Sequence, residues 1–243
     1  MSPGAARRSS EGRRRGVAVE LAGIPGAGKS RLARVLADEL AGQGITVTQP
    51  QAPLGPSVPI GLRLGRKAWA CAGTTARDPA TTARIVPAIH ASGQPGPGDV
   101  AGRVVQWLVA QHVTDRALRR EGASILDEGL VQCLWSIGLR GDVTPVLAAV
   151  AAAPRVSAPD VLVVVRVAPE VALERLAGRL SQHSRTQSLP ESDRLAELER
   201  GDRLLGRLVD WWATDGPRPA PVLTVSGADE HERVLERIRT ALA

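Results

Sequence analysis

The segment Gly23-Ile24-Pro25-Gly26-Ala27-Gly28-Lys29-Ser30 matches the phosphate-binding pattern G-x-x-x-x-G-K-[ST] at every fixed position. A short, mostly apolar run over residues 17–21 precedes it, and residues 31–40 follow with apolar side chains at helical spacing. Strand, glycine loop and helix is the order that this pattern requires. Glycine lets the backbone N–H groups of such a loop turn toward phosphate oxygens, because no Cβ obstructs them.

This segment predicts a site for the phosphates of a nucleoside triphosphate. The N-terminus of the following helix adds a partial positive charge. Lys29 is expected to reach the β- and γ-phosphates, and the Ser30 hydroxyl to ligate Mg²⁺. The residues expected to contact the nucleotide are Gly23, Ile24, Pro25, Gly26, Ala27, Gly28, Lys29, Ser30 and Arg31.

Length and composition indicate one globular α/β domain. The chain has 243 residues, of which 43% are apolar, and no apolar run approaches the length of a membrane span. Its two cysteines, Cys71 and Cys133, lie far apart and form no C-x-x-C pattern. This spacing argues against a disulfide scaffold or a zinc site and fits a reducing compartment, so we expect a cytoplasmic protein.

The positive charge of the chain is concentrated at its start. Residues 1–15 contain five arginines and one glutamate, so this tail carries +4 of the net charge of +6. The tail has no apolar periodicity, which predicts a disordered basic segment. The chain has five tryptophans but no Phe or Tyr, so a surface that stacks successive nucleic-acid bases is not expected, and nucleic acid is an unlikely partner.

Strand and helix patterns alternate along the rest of the chain. Strands are expected at residues 17–21, 45–48, 124–127, 160–167 and 222–225. The β-branched run at 160–167 is typical of a strand buried on both faces, as in a parallel sheet. We therefore predict an α/β fold with three α/β/α layers, the P-loop NTPase fold, around a mostly parallel sheet of about five strands. It should span residues 16–243.

Between the second and third of these strands lies a basic segment rich in Pro and Gly. Residues 50–98 are predicted to be largely irregular, with a short helix ending near Trp69 and another at residues 81–91. A substrate-side insertion is expected at this place. A long helix should follow from Asp99, which can cap it, to about Glu121.

Two acidic residues follow the strand at residues 124–127. Ligands in open parallel sheets bind beyond the carboxyl ends of the strands, where Asp127 and Glu128 are expected. Asp127 is placed to hold Mg²⁺ or to accept a proton from an attacking hydroxyl. A simple helix-capping role for Asp127 is the alternative. Glu128 would polarise water in an NTP-hydrolysing motor or contact the substrate in a kinase.

Three arginines form a candidate lid over the phosphates, at residues 175–190. Arg175 and Arg179 are one helical turn apart, and Arg185 follows after a polar turn. Such a cluster can spread positive charge over a phosphoryl group in transfer and exclude water. The alternative is a solvated surface where these arginines pair with Glu170 and Glu174.

The sequence resembles the P-loop nucleoside and nucleotide kinases, thymidylate kinases in particular, over roughly residues 17–243. The resemblance is carried by residues 20–30, 104–118, 127–129 and 167–175. It implies a phosphotransferase in which Lys29 and the lid arginines stabilise transfer from ATP with Mg²⁺. It also implies that residues 226–228 lie near the adenine. A small-molecule phosphate acceptor is the expected partner, and a homodimer is left open.

The sequence departs from thymidylate kinases in ways that leave the acceptor open. Glu128 stands where that family has an arginine, Arg31 stands where a second hydroxyl residue is common, and no Phe or Tyr is present to stack a thymine. The competing hypothesis is a P-loop ATPase or GTPase that acts as a regulatory switch with a protein partner. A nucleotide-binding scaffold without catalysis is a further alternative, which the intact Lys29 and Ser30 disfavour.

Overall fold

The chain forms a five-stranded, entirely parallel sheet. The computed structural model describes residues 16–54, 58–178, 185–218 and 220–243, so the basic tail lies outside the described residues. The strands are β1 (Val17–Ala22), β2 (Val47–Thr48), β3 (Ala123–Leu126), β4 (Val161–Val165) and β5 (Val222–Val225), in the spatial order β2-β3-β1-β4-β5. All four strand pairs are parallel. This arrangement confirms the predicted sheet.

Helices cover both faces of the sheet over the described chain. They are α1 (Lys29–Gly42), α2 (Ile60–Arg77), α3 (Pro79–Ala91), α4 (Pro97–Arg119), α5 (Leu130–Gly138), α6 (Thr144–Ala151), α7 (Pro169–Ala177), α8 (Glu191–Asp215) and α9 (His231–Leu242). Helices α1 and α9 pack together, while α4, α5 and α8 form a second packed group. The three-layer α/β/α fold is therefore confirmed. None of the helices in the described segments is long and apolar enough to cross a membrane.

The central strands form the core. Strand β1 is buried along its whole length and pairs with β3 on one side and β4 on the other. Strand β4 is the run of valine and leucine that the sequence identified, and it is also buried throughout. Because both strands are covered on two faces, their carboxyl ends are held rigidly. The candidate functional site lies at these ends.

The prediction of a largely irregular segment at residues 50–98 is wrong in its extent. The helix predicted at residues 81–91 is confirmed as α3 (Pro79–Ala91), whereas the helix expected to end near Trp69 is α2 and continues to Arg77. Their glycines and Pro87 disfavour an isolated helix, but α2 and α3 pack against α4 and gain stability from that contact.

The start of α4 also differs from the prediction. The helix begins at Pro97 with Gly96 at its N-cap, and Asp99 lies inside the first turn without capping it. Proline is favoured at the first helical position, which explains the earlier start. The Asp99 carboxylate pairs instead with Arg140.

Candidate functional site

The phosphate-loop segment connects the end of β1 to the start of α1. Gly26 and Gly28 adopt left-handed φ values of +85° and +101°, which favour glycine over residues with a Cβ. A Cβ on Gly26 would also lie 2.4 Å from the backbone oxygen of Ala172 in α7. The loop is therefore shaped by α7 as well as by its own sequence. The loop ends at the N-terminus of α1, where the first backbone N–H groups of a helix lack the usual intrahelical partners. Within the loop, the Ala27 N–H donates to the Ile24 oxygen at 3.2 Å.

Lys29, the first residue of α1, folds back over the loop. Its Nζ donates hydrogen bonds to the backbone oxygens of Gly23 at 2.6 Å and Ile24 at 3.3 Å. Ser30 and Arg31 follow in the first turn of α1 with exposed side chains. Lys29 and Ser30 therefore occupy the first two positions of α1, at the helix end that carries partial positive charge.

Asp127 follows β3 directly, and β3 is the neighbour of β1 in the sheet. Burial raises the pKa of the Asp127 carboxyl above its ordinary value, and the nearby charge of Lys29 opposes this rise. Its Oδ1 is buried and has no hydrogen-bond partner within the described chain. A buried carboxylate oxygen without a partner fits a group that a ligand completes.

The residues near the loop fit a magnesium ion bound together with phosphates. Mg²⁺ is usually held by one or two carboxylates, substrate phosphates and water. Asp127 supplies one such carboxylate and Ser30 a hydroxyl. Among the described residues there is no cluster of three or more His, Cys, Asp or Glu side chains that could hold a metal ion.

Asp127 and Glu128 line a cavity of about 1050 Å³. It lies between α2 and α4, in front of the carboxyl end of β3, and the segment after β2 closes one side. The Glu128 side chain is exposed to it, while the Glu128 backbone oxygen accepts a hydrogen bond from Gln51 Nε2 at 3.2 Å. The two acids that the sequence placed at the strand end are therefore together at the wall of one cavity.

The rest of this cavity is basic and aliphatic. Arg63 and Lys67 lie one turn apart on α2, and Arg103 projects from α4. Apolar wall residues include Leu64, Val105 and Ile125, and none of the described lining residues is aromatic. The cavity can surround a small molecule with negative charge but offers no ring on which a base can stack.

Arg175 is the lid arginine that the described chain places at the loop. It lies in α7, and its Nη1 donates to the backbone oxygen of Ala27 at 3.4 Å. Arg179 and residues 180–184 lie outside the described residues, and of Arg185 only the backbone is described, in a short 3₁₀ turn. The catalytic roles of Arg175, Arg179 and Arg185 stay predictions.

Glu20, a fully buried residue of β1, has a role that was not predicted from the sequence. Its Oε1 accepts a hydrogen bond from the backbone N–H of Gln132 at 2.9 Å. Burial raises the pKa of Glu20 to about 7, although backbone hydrogen bonds from residues 132, 130 and 131 partly oppose this rise. These N–H groups form the start of α5, so Glu20 occupies an anion-favouring helix N-terminus from inside the core.

This buried carboxyl group ties the acidic strand end to the phosphate loop. The Gln132 side chain accepts a hydrogen bond from the Gly23 N–H through Oε1, at 3.2 Å. A Cβ on Gly129 would lie 2.3 Å from the Glu20 carboxyl group, so the chain needs glycine directly after Asp127-Glu128. A charged residue inside an otherwise apolar strand run was the only signal in the sequence.

The fold is similar to that of two solved kinase structures. A thymidylate kinase from Candida albicans aligns with a TM-score of 0.52 and 15% identity, covering 93% of this chain and 92% of that one. A deoxyadenosine kinase from M. mycoides with bound dATP aligns with a TM-score of 0.51 and 13% identity, covering 93% and 98%. At this identity the likeness shows the fold alone, and it confirms the predicted three-layer α/β/α P-loop fold. The chain matches no protein-family model and no curated protein sequence.

Proposed function

We propose that the protein is an ATP- and Mg²⁺-dependent phosphotransferase that acts on a small acceptor. The position of Asp127 carries this proposal. Burial raises the pKa of the Asp127 carboxyl group, and the positive charge of Lys29, in the phosphate loop, opposes this rise, so the two groups interact. Asp127 also lines the cavity of about 1050 Å³. A phosphate donor and an acceptor could therefore meet at this acid. Hydrolysis by water alone would not require a cavity of about 1050 Å³ at this place.

The proposed reaction is an in-line transfer of the γ-phosphoryl group. An acceptor hydroxyl oxygen forms a bond to the γ-phosphorus, the bond from that phosphorus to the bridging oxygen breaks, and ADP leaves. The hydroxyl proton passes to Asp127 or Glu128. A carboxylate at the end of β3 can take up this proton as the new bond forms.

Positive groups around the loop would stabilise the charge that develops during transfer. Lys29 and the loop N–H groups bind the phosphates, and Arg175, with Arg179 and Arg185 from the lid, covers the γ-phosphate. Ser30 and Asp127 would hold Mg²⁺, which offsets the charge of the β- and γ-phosphates when bound. The loop residues 23–31 form the nucleotide site.

The cavity lining favours a small acceptor that carries negative charge. Arg63 and Lys67 face the cavity, and within the described chain no ion pair engages either side chain. Since aromatic residues are missing from the described lining, thymidylate is a poor candidate despite the sequence resemblance. The proposed enzyme is thus a kinase whose acceptor is either an anionic, largely aliphatic molecule or a sugar-like molecule.

A screen of acceptors with γ-³²P-labelled ATP and Mg²⁺ tests the proposed function. We expect label to appear in an acceptor product, because the enzyme positions an acceptor oxygen against the γ-phosphate. The panel should contain nucleosides, nucleoside monophosphates, sugar phosphates and hydroxy acids. If calorimetry detects no binding of MgATP to the purified protein, the proposal is wrong, whatever the screen yields.

The adjacent acids Asp127 and Glu128 keep a second candidate, a P-loop ATPase or GTPase that acts as a switch. In that case Glu128, which is exposed at the strand end, would polarise water. The same labelled-ATP assay separates the two candidates. Release of inorganic phosphate at one rate with and without acceptors would favour the switch.

A cytoplasmic location is part of the proposal. Cys71 is half-buried and Cys133 is buried, and neither forms a disulfide. Burial raises the pKa of both thiols, so neither is a reactive thiolate at neutral pH. Two free thiols fit a reducing compartment such as the cytoplasm.

Substituting Arg175 with alanine should slow transfer while leaving the fold intact. Its side chain is exposed apart from its contact with the Ala27 oxygen, so its loss removes positive charge at the loop and little packing. We expect kcat to fall about tenfold or more, with an unchanged thermal unfolding midpoint. Arg203→Ala, an exposed arginine on α8 that pairs with Glu199, is the matched control. An unchanged kcat in Arg175→Ala would remove Arg175 from the proposed mechanism.

A further inference from the structure

A second cavity, of about 600 Å³, also lies between α2 and α4, but nearer the end of α4, at residues 112–120. This second cavity is named the α2–α4 cavity. None of its lining residues belongs to the phosphate loop, and neither Asp127 nor Glu128 reaches it. Among its lining residues, Leu62, Arg66 and Trp69 lie three or four residues apart on α2, and His112 and Arg116 lie four apart on α4, so each set forms a stripe on one side of its helix. Arg120, directly after the end of α4, also lines the cavity.

The charges that line this α2–α4 cavity are all positive. Arg66, Arg116 and Arg120 contribute three guanidinium groups, and no acidic side chain is among the lining residues. No ion pair within the described segments involves these arginines; Arg66 donates only to the Pro53 backbone oxygen, at 2.9 Å. Their mutual repulsion is therefore not offset by a carboxylate of the described chain.

His112 responds to this positive field. Burial lowers the pKa of His112, and the charges of Arg116 and Arg77 lower it further, while Asp115 opposes them. The imidazole is thus neutral at pH 7, and the net charge of the cavity lining comes from the three arginines. The three arginines are exposed, so a bound anion would meet three solvent-accessible cations beside the apolar side chains of Leu62 and Trp69.

Trp69 gives the cavity a planar apolar surface. Its side chain is 72% exposed, whereas Trp107 and Trp212 are each 1% exposed and Trp135 6%. Leu62, which shares its stripe, is 51% exposed. A tryptophan ring that faces a cavity beside an arginine can stack on a planar group and support a neighbouring charge.

We propose that the α2–α4 cavity is a second ligand site, for a small organic anion with a planar apolar body. The anionic group pairs with Arg116 and Arg120, and the planar body packs against Trp69 and Leu62. The volume is that of an ordinary small-molecule site. The cavity adjoins the one beside Asp127, with which it shares Gln49, Leu54 and Val113. The proposed contacts Trp69, Arg116 and Arg120 line only the second cavity, and none of them belongs to the phosphate loop.

Isothermal titration calorimetry with 2-naphthalenesulfonate tests the proposal. This probe has a planar body and one negative charge. The matched probes are 2-naphthol, which lacks the negative charge at pH 7, and methanesulfonate, which lacks the planar body. We expect the sulfonate to bind at least about tenfold more tightly than either matched probe, which corresponds to about 1.4 kcal/mol. Equal affinity for 2-naphthol, or no saturable binding of the sulfonate, would overturn the proposal.

Substitutions locate the binding in this cavity. Arg116→Ala combined with Arg120→Ala should weaken binding of the sulfonate about tenfold or more, and Trp69→Leu should do the same. Arg119→Ala is the matched control, because Arg119 lies on the same helix but pairs with Asp115 and lines a different cavity. An equal loss in Arg119→Ala would show unspecific attraction to basic helices and contradict the proposal.

Two further measurements separate this site from the proposed kinase site. Lys29→Ala and saturating MgATP should each leave the affinity for the sulfonate unchanged. Competition by MgATP would place the probe at the nucleotide site and overturn the second site. If MgATP does not bind at all, the proposed function fails while the sulfonate result still decides this inference.

Discussion

Lys29→Ala should lower phosphoryl transfer from ATP at least tenfold, a loss of at least about 1.4 kcal/mol of transition-state stabilisation. The reason is the position of the ammonium group inside the loop. Its Nζ lies 2.6 Å from the Gly23 oxygen, at the N-terminus of α1 where the triphosphate is expected. No other side chain of the loop is basic except Arg31, which is exposed to solvent in the first turn of α1. The affinity for MgATP should fall as well, because the lysine contacts phosphate in both the ground state and the transition state.

Three companion variants make this experiment decisive. Lys29→Met keeps the length of the side chain without its charge and should behave like Lys29→Ala. Lys29→Arg keeps the charge in a wider group and should retain only part of the activity. Arg34→Ala removes an exposed charge from the same helix, away from the loop, and should resemble the wild type. Calorimetry with MgATP and the initial rate with the best acceptor of the screen are the measurements. Wild-type rates in Lys29→Ala would contradict the proposed mechanism.

The sheet could be predicted because its strands carry strong local signals. The glycine pattern fixes the connection from β1 to α1, since its backbone needs positive φ values at Gly26 and Gly28. The valine-rich sequence of β4 is typical of a strand with two buried faces. The acidic pair after β3 follows from the rule that sites lie at the carboxyl ends of parallel strands. Each of these features is encoded within about ten residues of sequence.

The full length of α2 could not be predicted in the same way, whereas α3 lies at Pro79–Ala91, close to the predicted residues 81–91. Helix α2 packs on α4, which lies further along the chain, so its own sequence does not encode that contact. Three glycines, Gly61, Gly65 and Gly73, weaken the helix signal of α2. Its apolar side chains Leu62, Leu64 and Trp69 are exposed rather than buried. Leu64 lines the cavity beside Asp127, whereas Leu62 and Trp69 line the second cavity.

Glu20 could not be assigned because its partners are backbone groups. A glutamate in a strand is ordinarily a solvent-facing residue, and no sequence pattern shows that the start of α5 meets it. The structure instead places its carboxyl group beneath the stretch 127–129, in contact distance of a Cβ on Gly129. The candidate site therefore consists of residues with local motifs, which could be predicted, supported by a buried group that could not.

Glu20→Gln should flatten the dependence of stability on pH. The folded-state pKa of Glu20 is about 7, against 4.5 for an ordinary glutamate. The folded protein therefore holds this proton more tightly than the unfolded chain does. The contribution of Glu20 to the free energy of unfolding of the wild type should be largest below about pH 4.5 and should be lost as the pH rises from there through 7. The linked free energy is about 3 kcal/mol.

Glutamine has the shape of the protonated glutamate and does not ionise, so the variant avoids this loss. Its side-chain oxygen can still accept the hydrogen bond that the Gln132 N–H donates to Glu20. Urea unfolding of both proteins at pH 5 and pH 8 gives the measurement. The free energy of unfolding should fall between these pH values by about 2 to 3 kcal/mol more in the wild type than in the variant.

Comparing the two proteins isolates Glu20 from the other titrating groups. The pKa of Asp127 is also raised by burial, but Asp127 titrates in both proteins and cancels in the difference. Glu39→Gln, which removes an exposed carboxylate from α1, is the control. Its free energy of unfolding should depend on pH in the same way as that of the wild type. Parallel curves for the wild type and Glu20→Gln would mean that Glu20 is not held near neutrality by its surroundings. In that case the buried carboxylate is stabilised by the start of α5 more strongly than burial destabilises it, and the link between strand end and phosphate loop would be ionic at every physiological pH.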